Sequence, residues 1–495
     1  MGHEIRSQEV EFDVVIAGAG ITGVTTALML QERGLKCAIA EARNMGFGTT
    51  GGTTAHLNNF FDASYDKVIN DFGLDKARLL ADAARDALEI IRHNVSAYDI
   101  ECDHEPRSAY LFSLDDEQEK ELDSLVEGSR KAGIEMHEVA ENPFGIPCTK
   151  VVEIPGQAQF HPLKYVKGLL TEFIHSGGMI IEGCRVTEAV KEGEGLKIST
   201  TRGTLHGKHL IYATHIPPGR NIMHFRNAPY RSYAMALKLR NGAYPRTLGY
   251  DMLEAYHYYR THEVDGEEYF IVGGEDHKTG DVENSDECFQ RLEEYVSRYF
   301  DIERVAYKWS SQYYEPADGL PYIGPLPGNP SNVYCATGYS GNGMIFGTLA
   351  AKTLSGLIAD GDSPYKELFS PSRVKPVAAF SQMVKENVDV IKHLVVDSFT
   401  VEKLNALADL ERDEGKVVSY DGNQLAMYKD VHGKTHILES KCTHLYCTLV
   451  WNHEEKSWDC PCHGSRFGID GDVLTAPAVK GLKNLAAKQE DEPLD

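Results

Sequence analysis

A short apolar run, Phe12 to Ala17 (FDVVIA), leads straight into Gly18-x-Gly20-x-x-Gly23, and no other feature of the chain limits its fold so tightly. The run reads as a strand, Ile21 to Arg33 has apolar spacing that suits a helix, and Leu35 to Ala40 (LKCAIA) reads as a second strand. In such a unit the first glycine makes the tight turn and the second lets the backbone approach a pyrophosphate. The third lets helix and strand pack closely. The helix N-terminus then offers unpaired N–H groups and the positive end of its dipole to the phosphates. Glu41 ends the second strand, where a carboxylate can accept hydrogen bonds from ribose hydroxyls. Together these pieces predict a dinucleotide site on an α/β unit.

Composition narrows the partners. With 495 residues, 42% hydrophobic and 25% charged, the chain is an ordinary globular protein of more than one domain. Lys+Arg 50 against Asp+Glu 74 leaves a net charge of -24, which argues against nucleic acid or an anionic membrane bound through a basic surface. No transmembrane segment is expected. Of the two long uncharged stretches, Val14 to Gln31 holds the glycine turn, and Gly319 to Ala351 is broken by Pro321, Pro325, Pro327 and Pro330. Met1 to Glu11 has no basic end followed by an apolar run, so no cleaved secretory signal is expected and the cytoplasm is the default compartment.

Further along, Phe60 to Asn142 is charged and helix-rich, with LDDEQEKELDSLVEGSRKAG as its clearest solvated helix. Strand-like segments dominate Val151 to His277, among them a hairpin turning at Asp265-Gly266. Residues 315–359 hold a Pro/Gly-rich loop, a strand (VYCAT), a Gly-rich turn and a helix. Val377 to Val396 reads as a helical connector. From about Phe399 onward come short strands with turns at Asp421-Gly422 and His432-Gly433.

Six cysteines, Cys37, Cys102, Cys148, Cys184, Cys288 and Cys335, are scattered singly and read as core thiols. The others crowd together. Cys442-Thr443-His444 and Cys460-Pro461-Cys462-His463 each offer a thiolate and an imidazole. A two-iron cluster of Rieske type needs two Cys on one iron and two His on the other. A Cys₂His₂ zinc site is the alternative, although zinc fingers usually pair Cys with Cys and His with His along the chain. The segments CTHLYC and CPCHGSRFGIDGDVLTAPA resemble Rieske domains of the cytochrome bc-complex kind, with Tyr446 where a glycine is usual. The resemblance implies a [2Fe-2S] cluster held by Cys442, His444, Cys460 and His463, and a disulfide between Cys447 and Cys462. It also matches Ser465 to a serine whose hydroxyl bonds a bridging sulfur. Phe467 stands where high-potential relatives have a tyrosine bonded to a ligand sulfur, so an intermediate potential is expected.

The first part of the chain, roughly residues 10–360, resembles the D-amino-acid oxidase superfamily of FAD-dependent oxidoreductases, the branch with glycine, sarcosine and dimethylglycine oxidising enzymes. The resemblance rests on Gly48-Thr49-Thr50-Gly51-Gly52-Thr53-Thr54-Ala55-His56, Phe160 to Tyr165, Val186, Ala213-Thr214, Asp318 to Pro325 and Ala336 to Met344. It implies FAD bound by Gly18, Gly20, Gly23, Glu41, Thr49, Thr50, Thr53, Thr54, His56, Val186, Ala213, Gly338, Gly341, Gly343 and Met344. Some relatives attach FAD covalently through a histidine placed like His56, and others bind it non-covalently. Relatives that oxidise free amino acids often clamp the carboxylate with arginines where this chain has Tyr313-Tyr314-Glu315-Pro316 and Ser340-Gly341-Asn342. Their absence makes room for a cationic amine facing Glu315 and aromatic residues, with Tyr256, Tyr258, Tyr259 and Arg260 as further pocket candidates. A structural salt bridge is the alternative role for Arg260.

The expected fold is an α/β Rossmann-type FAD-binding domain with an interleaved mixed-sheet substrate domain, plus a small all-β Rieske domain. The oxidoreductase part is placed at 1–375, with FAD-binding parts at about 10–60 and 315–360 and substrate-side parts at about 100–310. The connector is placed at 376–398 and the Rieske domain at 399–495. The expected function is FAD-dependent oxidation of an amine, N-methyl amine or amino-acid-like substrate, with electrons leaving through the cluster to a one-electron acceptor. Two rivals stand beside it. One is a reductase or monooxygenase component that moves electrons from an external donor through the cluster to flavin. The other is a non-catalytic electron-transfer adaptor, which would show a closed or collapsed pocket at the flavin face.

Overall fold

The computed structural model describes residues 11–282, 284–373, 402–403, 410–420 and 423–485. The strand Glu11–Ala17, the helix Ile21–Glu32 and the strand Cys37–Ala40 form the expected opening unit. Gly18 has φ +107, and a Cβ there would lie 2.5 Å from the Ala213 carbonyl oxygen; a Cβ on Gly23 would lie 1.9 Å from Gly18 O. Only glycine lets this turn form and lets the helix pack onto it. The opening strand pairs in parallel with Cys37–Ala40 on one side and Gly203–Tyr212 on the other, at the centre of an eight-stranded sheet. Behind it lie the helices Ile21–Glu32 and Gly343–Ala359, which approach closely because Gly347 has no side chain: a Cβ would lie 2.8 Å from Ile21 Cγ2.

A second sheet, of nine strands, is mostly antiparallel and carries the other half of the domain. Its spine is Asn227–Leu239, flanked by Glu267–Lys278 and by the long strand Ile302–Pro316. The expected hairpin is present as Tyr258–Val264 and Glu267–Lys278. Asp265 (φ 53) and Gly266 (φ 79) both take the left-handed conformation that a two-residue turn of this kind needs. Apolar residues alternate along these strands, so one face packs into a core around Tyr233, Tyr259, Phe270 and Leu292 while the other faces the first sheet's unit.

The C-terminal domain is all-β among its described residues, with two four-stranded sheets. The expected turn at His432-Gly433 is present, with Gly433 at φ +88. The turn at Asp421-Gly422 and the connector at 376–398 lie outside the described residues. Among the described residues no helix is long and apolar enough to cross a membrane.

The small domain is seated on the large one. Arg231, 2% exposed, bonds Glu455 and, at 2.6 Å, Asp459. Gln312 Nε2 donates to Gly464 O at 3.0 Å, and the Gly219 N–H donates to Pro477 O at 3.1 Å. Gly464, at φ +74, is packed so tightly that a Cβ would lie 2.5 Å from Tyr314 Oη.

Candidate active site and metal centre

A cavity of about 1400 Å³ opens between the two sheets of the large domain and reaches the small one. The glycine turn, the threonine-rich loop and the second Gly-rich turn converge on it. Of the residues expected to hold FAD, Gly18, Gly20, Glu41, Thr49, Thr50, Thr53, Thr54, His56, Val186, Ala213, Gly341, Gly343 and Met344 line it. Gly23 and Gly338 do not. Gly23 sits against Gly18, and Gly338 sits where a Cβ would lie 2.4 Å from Asn227 Oδ1, so both serve backbone packing.

The nucleotide end fits a dinucleotide. Thr50 Oγ1 accepts from the Ile21 N–H at 3.1 Å, and no acidic residue occupies the first turn of the helix. The positive end of that helix is therefore open to an anion. Glu41 accepts from the backbone N–H groups of Ala19 and Arg43, both at 2.7 Å. Burial raises its pKa, against those two hydrogen bonds.

The other end is aromatic and acidic. Asp62 accepts from the Gly341 N–H at 2.7 Å and from Tyr256 Oη–H at 3.0 Å. Asp276 accepts from Tyr313 Oη–H at 2.9 Å, while its Oδ1 is buried without a hydrogen bond of normal length, the Ser232 hydroxyl lying close to the carboxylate. Burial first, and the charge of Asp62 with it, push the Asp276 carboxyl up to about 7. His56 Nδ1 lies 2.5 Å from Tyr250 Oη, and its ring meets Tyr250 and Tyr258 edge-on. Burial holds the imidazole neutral.

Tyr256 and Tyr258 line the cavity, as expected; Tyr259, Arg260 and Glu315 do not. The strand alternation that turns Tyr258 inward buries Tyr259 in the core behind the sheet, bonded to Asp251 at 3.2 Å. Arg260 donates to the carbonyls of Thr54, Ala55 and Phe160, so it braces the loop that delivers His56, and it forms no salt bridge among the described residues. Glu315 lies opposite Ala228 in the strand Ile302–Pro316, away from the cavity lining. Asp62 and Asp276, and not Glu315, line this acidic end of the cavity. Neither was singled out from sequence, because nothing local distinguishes an acidic residue that folding brings to a cavity.

In the small domain the expected ligands come together. His444 and His463 are 4% and 2% exposed, their rings are 5.0 Å apart and nearly perpendicular, and all four ring nitrogens are buried without a partner. Buried imidazoles are ordinarily hydrogen-bonded, so two adjacent buried rings without normal partners fit a ligand pair. The Cys442 and Cys460 thiols are in contact beside them. Three sulfurs, of Cys447, Cys460 and Cys462, also lie within 4.8 Å of one another. Cys447 and Cys462 are joined by the expected disulfide, which leaves Cys460 as the free cysteine of that group. Ser465, fully buried, accepts from the Ala478 N–H at 3.0 Å, and its own hydroxyl faces the Cys442 sulfur as a donor.

The histidine face of this centre does not meet solvent. The His444 ring meets His224 of the large domain edge-on at 4.5 Å, and His463 meets Phe225 at 5.8 Å. Tyr314 Oη–H donates to His463 O at 3.0 Å, and the Tyr314 ring stands 4.8 Å from His215, which lines the cavity. Two rings thus span the wall between cavity and ligand loop.

Comparison with known proteins agrees with this geometry. The family described as FAD dependent oxidoreductase matches residues 13–357, and the Rieske [2Fe-2S] domain matches residues 401–486. The chain is 33% identical over 481 residues to YhfW of Bacillus subtilis (strain 168), named as a Rieske 2Fe-2S iron-sulfur protein, covering 97% of this chain and 94% of that one. It is 23% identical to the gamma-glutamylputrescine oxidoreductase of Escherichia coli (strain K12), covering 74% of this chain and 87% of that one. Among solved structures, glycine oxidase from Geobacillus kaustophilus superposes with a TM-score of 0.61 at 17% identity, covering 74% of this chain and 99% of that one.

Proposed function

The chain belongs to the family of FAD-dependent oxidoreductases and carries a C-terminal Rieske [2Fe-2S] domain, and from that premise we propose that it is an amine dehydrogenase. It oxidises an amine, N-methyl amine or amino-acid-like substrate in the cavity, and the electrons leave through the Rieske domain to a one-electron acceptor. When bound, FAD supplies a two-electron acceptor for hydride and the cluster supplies a one-electron outlet. The glycine turn, Glu41 and the threonine loop would hold the dinucleotide. Cys442, His444, Cys460 and His463 would hold the irons, and Asp62 with the surrounding tyrosines would orient the substrate. The site lies in the cytoplasm on this reading, where buried free thiols such as Cys37, Cys184 and Cys335 stay reduced.

The observation that carries the reading is the bridge of His215 and Tyr314 from the cavity wall to His463. Electron tunnelling decays exponentially with distance, so a contact of this kind favours exchange between the cavity and the cluster over exchange across solvent. The open cavity also speaks against a non-catalytic adaptor, which would show a closed or collapsed pocket. The test is anaerobic mixing of the holoprotein with amines, N-methylated amino acids and hydroxy acids, following flavin absorbance and the cluster's EPR signal. Flavin bleaching by an amine, followed by a reduced Rieske signal, is expected. Reduction of both centres by dithionite but by nothing in the panel would reverse the direction of electron flow and overturn the reading.

A further inference from the structure

We propose that the cavity end bounded by Asp62, Asp276 and Tyr250, Tyr256, Tyr258 and Tyr313 recognises an ammonium group, so that the substrate is a cationic amine with no carboxylate beside its nitrogen. The inference rests on the reading of this cavity as an amine dehydrogenase's substrate site.

Two carboxylates share this end, and one buried oxygen, Asp276 Oδ1, has no hydrogen bond of normal length. Such a carboxylate oxygen beside a second carboxylate is costly unless a cation joins it. Among the described residues no cation does so. Among the described residues lining the cavity, the basic side chains other than histidine are Arg43, Arg185, Lys308 and Arg466. Each is tied to the small domain: Arg43 to Asp472, Arg185 to Val473 O, Lys308 to Glu454 and Arg466 to Glu455. His257, the charged neighbour of Asp276, is already paired with Asp251 and Glu275. The tyrosine hydroxyls are committed too, to His56, Asp62, Ser232 and Asp276, which leaves their rings to meet a ligand. Carboxylate plus aromatic rings attracts an organic cation. A substrate carboxylate would face Asp62 and Asp276 with no arginine to hold it.

The holoprotein would be titrated anaerobically with tetramethylammonium chloride and, separately, with sodium acetate at matched ionic strength, following the flavin spectrum. Tetramethylammonium has no nitrogen lone pair and cannot be oxidised, so it reports binding apart from turnover. A saturable spectral shift with the cation and none with acetate is expected. Asp276→Asn should raise the cation's Kd about tenfold or more, the scale of a charged contact, and Asp276→Glu should restore much of it. Should Asp276→Asn fail to take up FAD, Tyr256→Leu reads the same site and should weaken the cation several-fold. Acetate binding in place of the cation, no shift with either probe, or an unchanged Kd in the variants would overturn the proposal. If the cation binds but no amine reduces the flavin, the dehydrogenase reading falls and the ammonium site stands. If amines reduce the flavin while acetate competes with them, the reverse holds.

Discussion

At the scale of single residues, the metal centre is where the sequence says most. Its four proposed ligands, the disulfide pair and Ser465 all sit in two short loops, with Phe467 in the strand Arg466–Gly468 that follows, so their spacing already carries their chemistry. Ser465 is poised to donate to the cluster site, whereas Phe467, fully buried in the same core, has no hydroxyl to offer. Hydrogen bonds to cluster sulfurs stabilise the reduced state and raise the potential. Phe467→Tyr should therefore raise the midpoint potential and Ser465→Ala lower it, read by an EPR-monitored redox titration; no upward shift in Phe467→Tyr would remove that explanation. Asp62 and Asp276 are the opposite case. One follows a short strand near the N-terminus and the other lies in a hairpin strand far along the chain, and only the fold makes them neighbours of a cavity.

At the scale of elements, the strand Ile302–Pro316 does two jobs because consecutive side chains leave it on opposite faces. Tyr313 goes to the cavity and Asp276, Tyr314 to His463 and the ligand loop. The pair was visible in the sequence, but which face met which domain was not, since two adjacent tyrosines offer no apolar–polar alternation to read. The Asp265-Gly266 hairpin and the Gly18 turn were legible because their glycines answer local backbone needs. Gly464 answers a long-range one as well: it is left-handed and faces Tyr314 Oη, Gln312 Nε2 and Pro229. Gly464→Ala should cost about 1–3 kcal/mol from backbone strain alone and push the ligand loop off Tyr314. The expected result is a lower Tm with slower cluster reduction after flavin reduction, checked by calorimetry and stopped-flow. An unchanged reduction rate would show that the Tyr314 contact is not the route.

At the scale of the molecule, the two domains are pinned by a buried ion network. Burial alone would raise the Asp459 and Glu455 carboxyls, but Arg466 and Arg231 outweigh it and hold both below their usual values. Their contribution to stability is present above the ordinary carboxylate range and is lost as pH falls through the lowered values, below about pH 4. Arg231→Met leaves two buried carboxylates with one cation fewer and should destabilise the docked domain by about 3–5 kcal/mol. Acid undocking should then begin at higher pH, followed by proteolysis of the small domain across a pH series. Undocking at the same pH as in the unaltered protein would show that Arg231 does not hold the interface. The presence of a C-terminal β region was legible from the shift in composition, whereas its docking was not, because Arg231 and Asp459 lie far apart in the chain and neither stands in a motif.

The sealed histidine face has a kinetic meaning. Redox proteins that work as separate partners must meet, orient and part at each turnover, and their rates fall with dilution. Here one chain holds both sites docked against each other, so the effective concentration of each for the other is fixed by the fold. Cluster reduction after substrate oxidation should be first order and indifferent to protein concentration. On the proposed electron path, only the last step, delivery to an outside acceptor, would keep the character of an encounter, and it would take place on a face other than the one that His224 and Phe225 already cover.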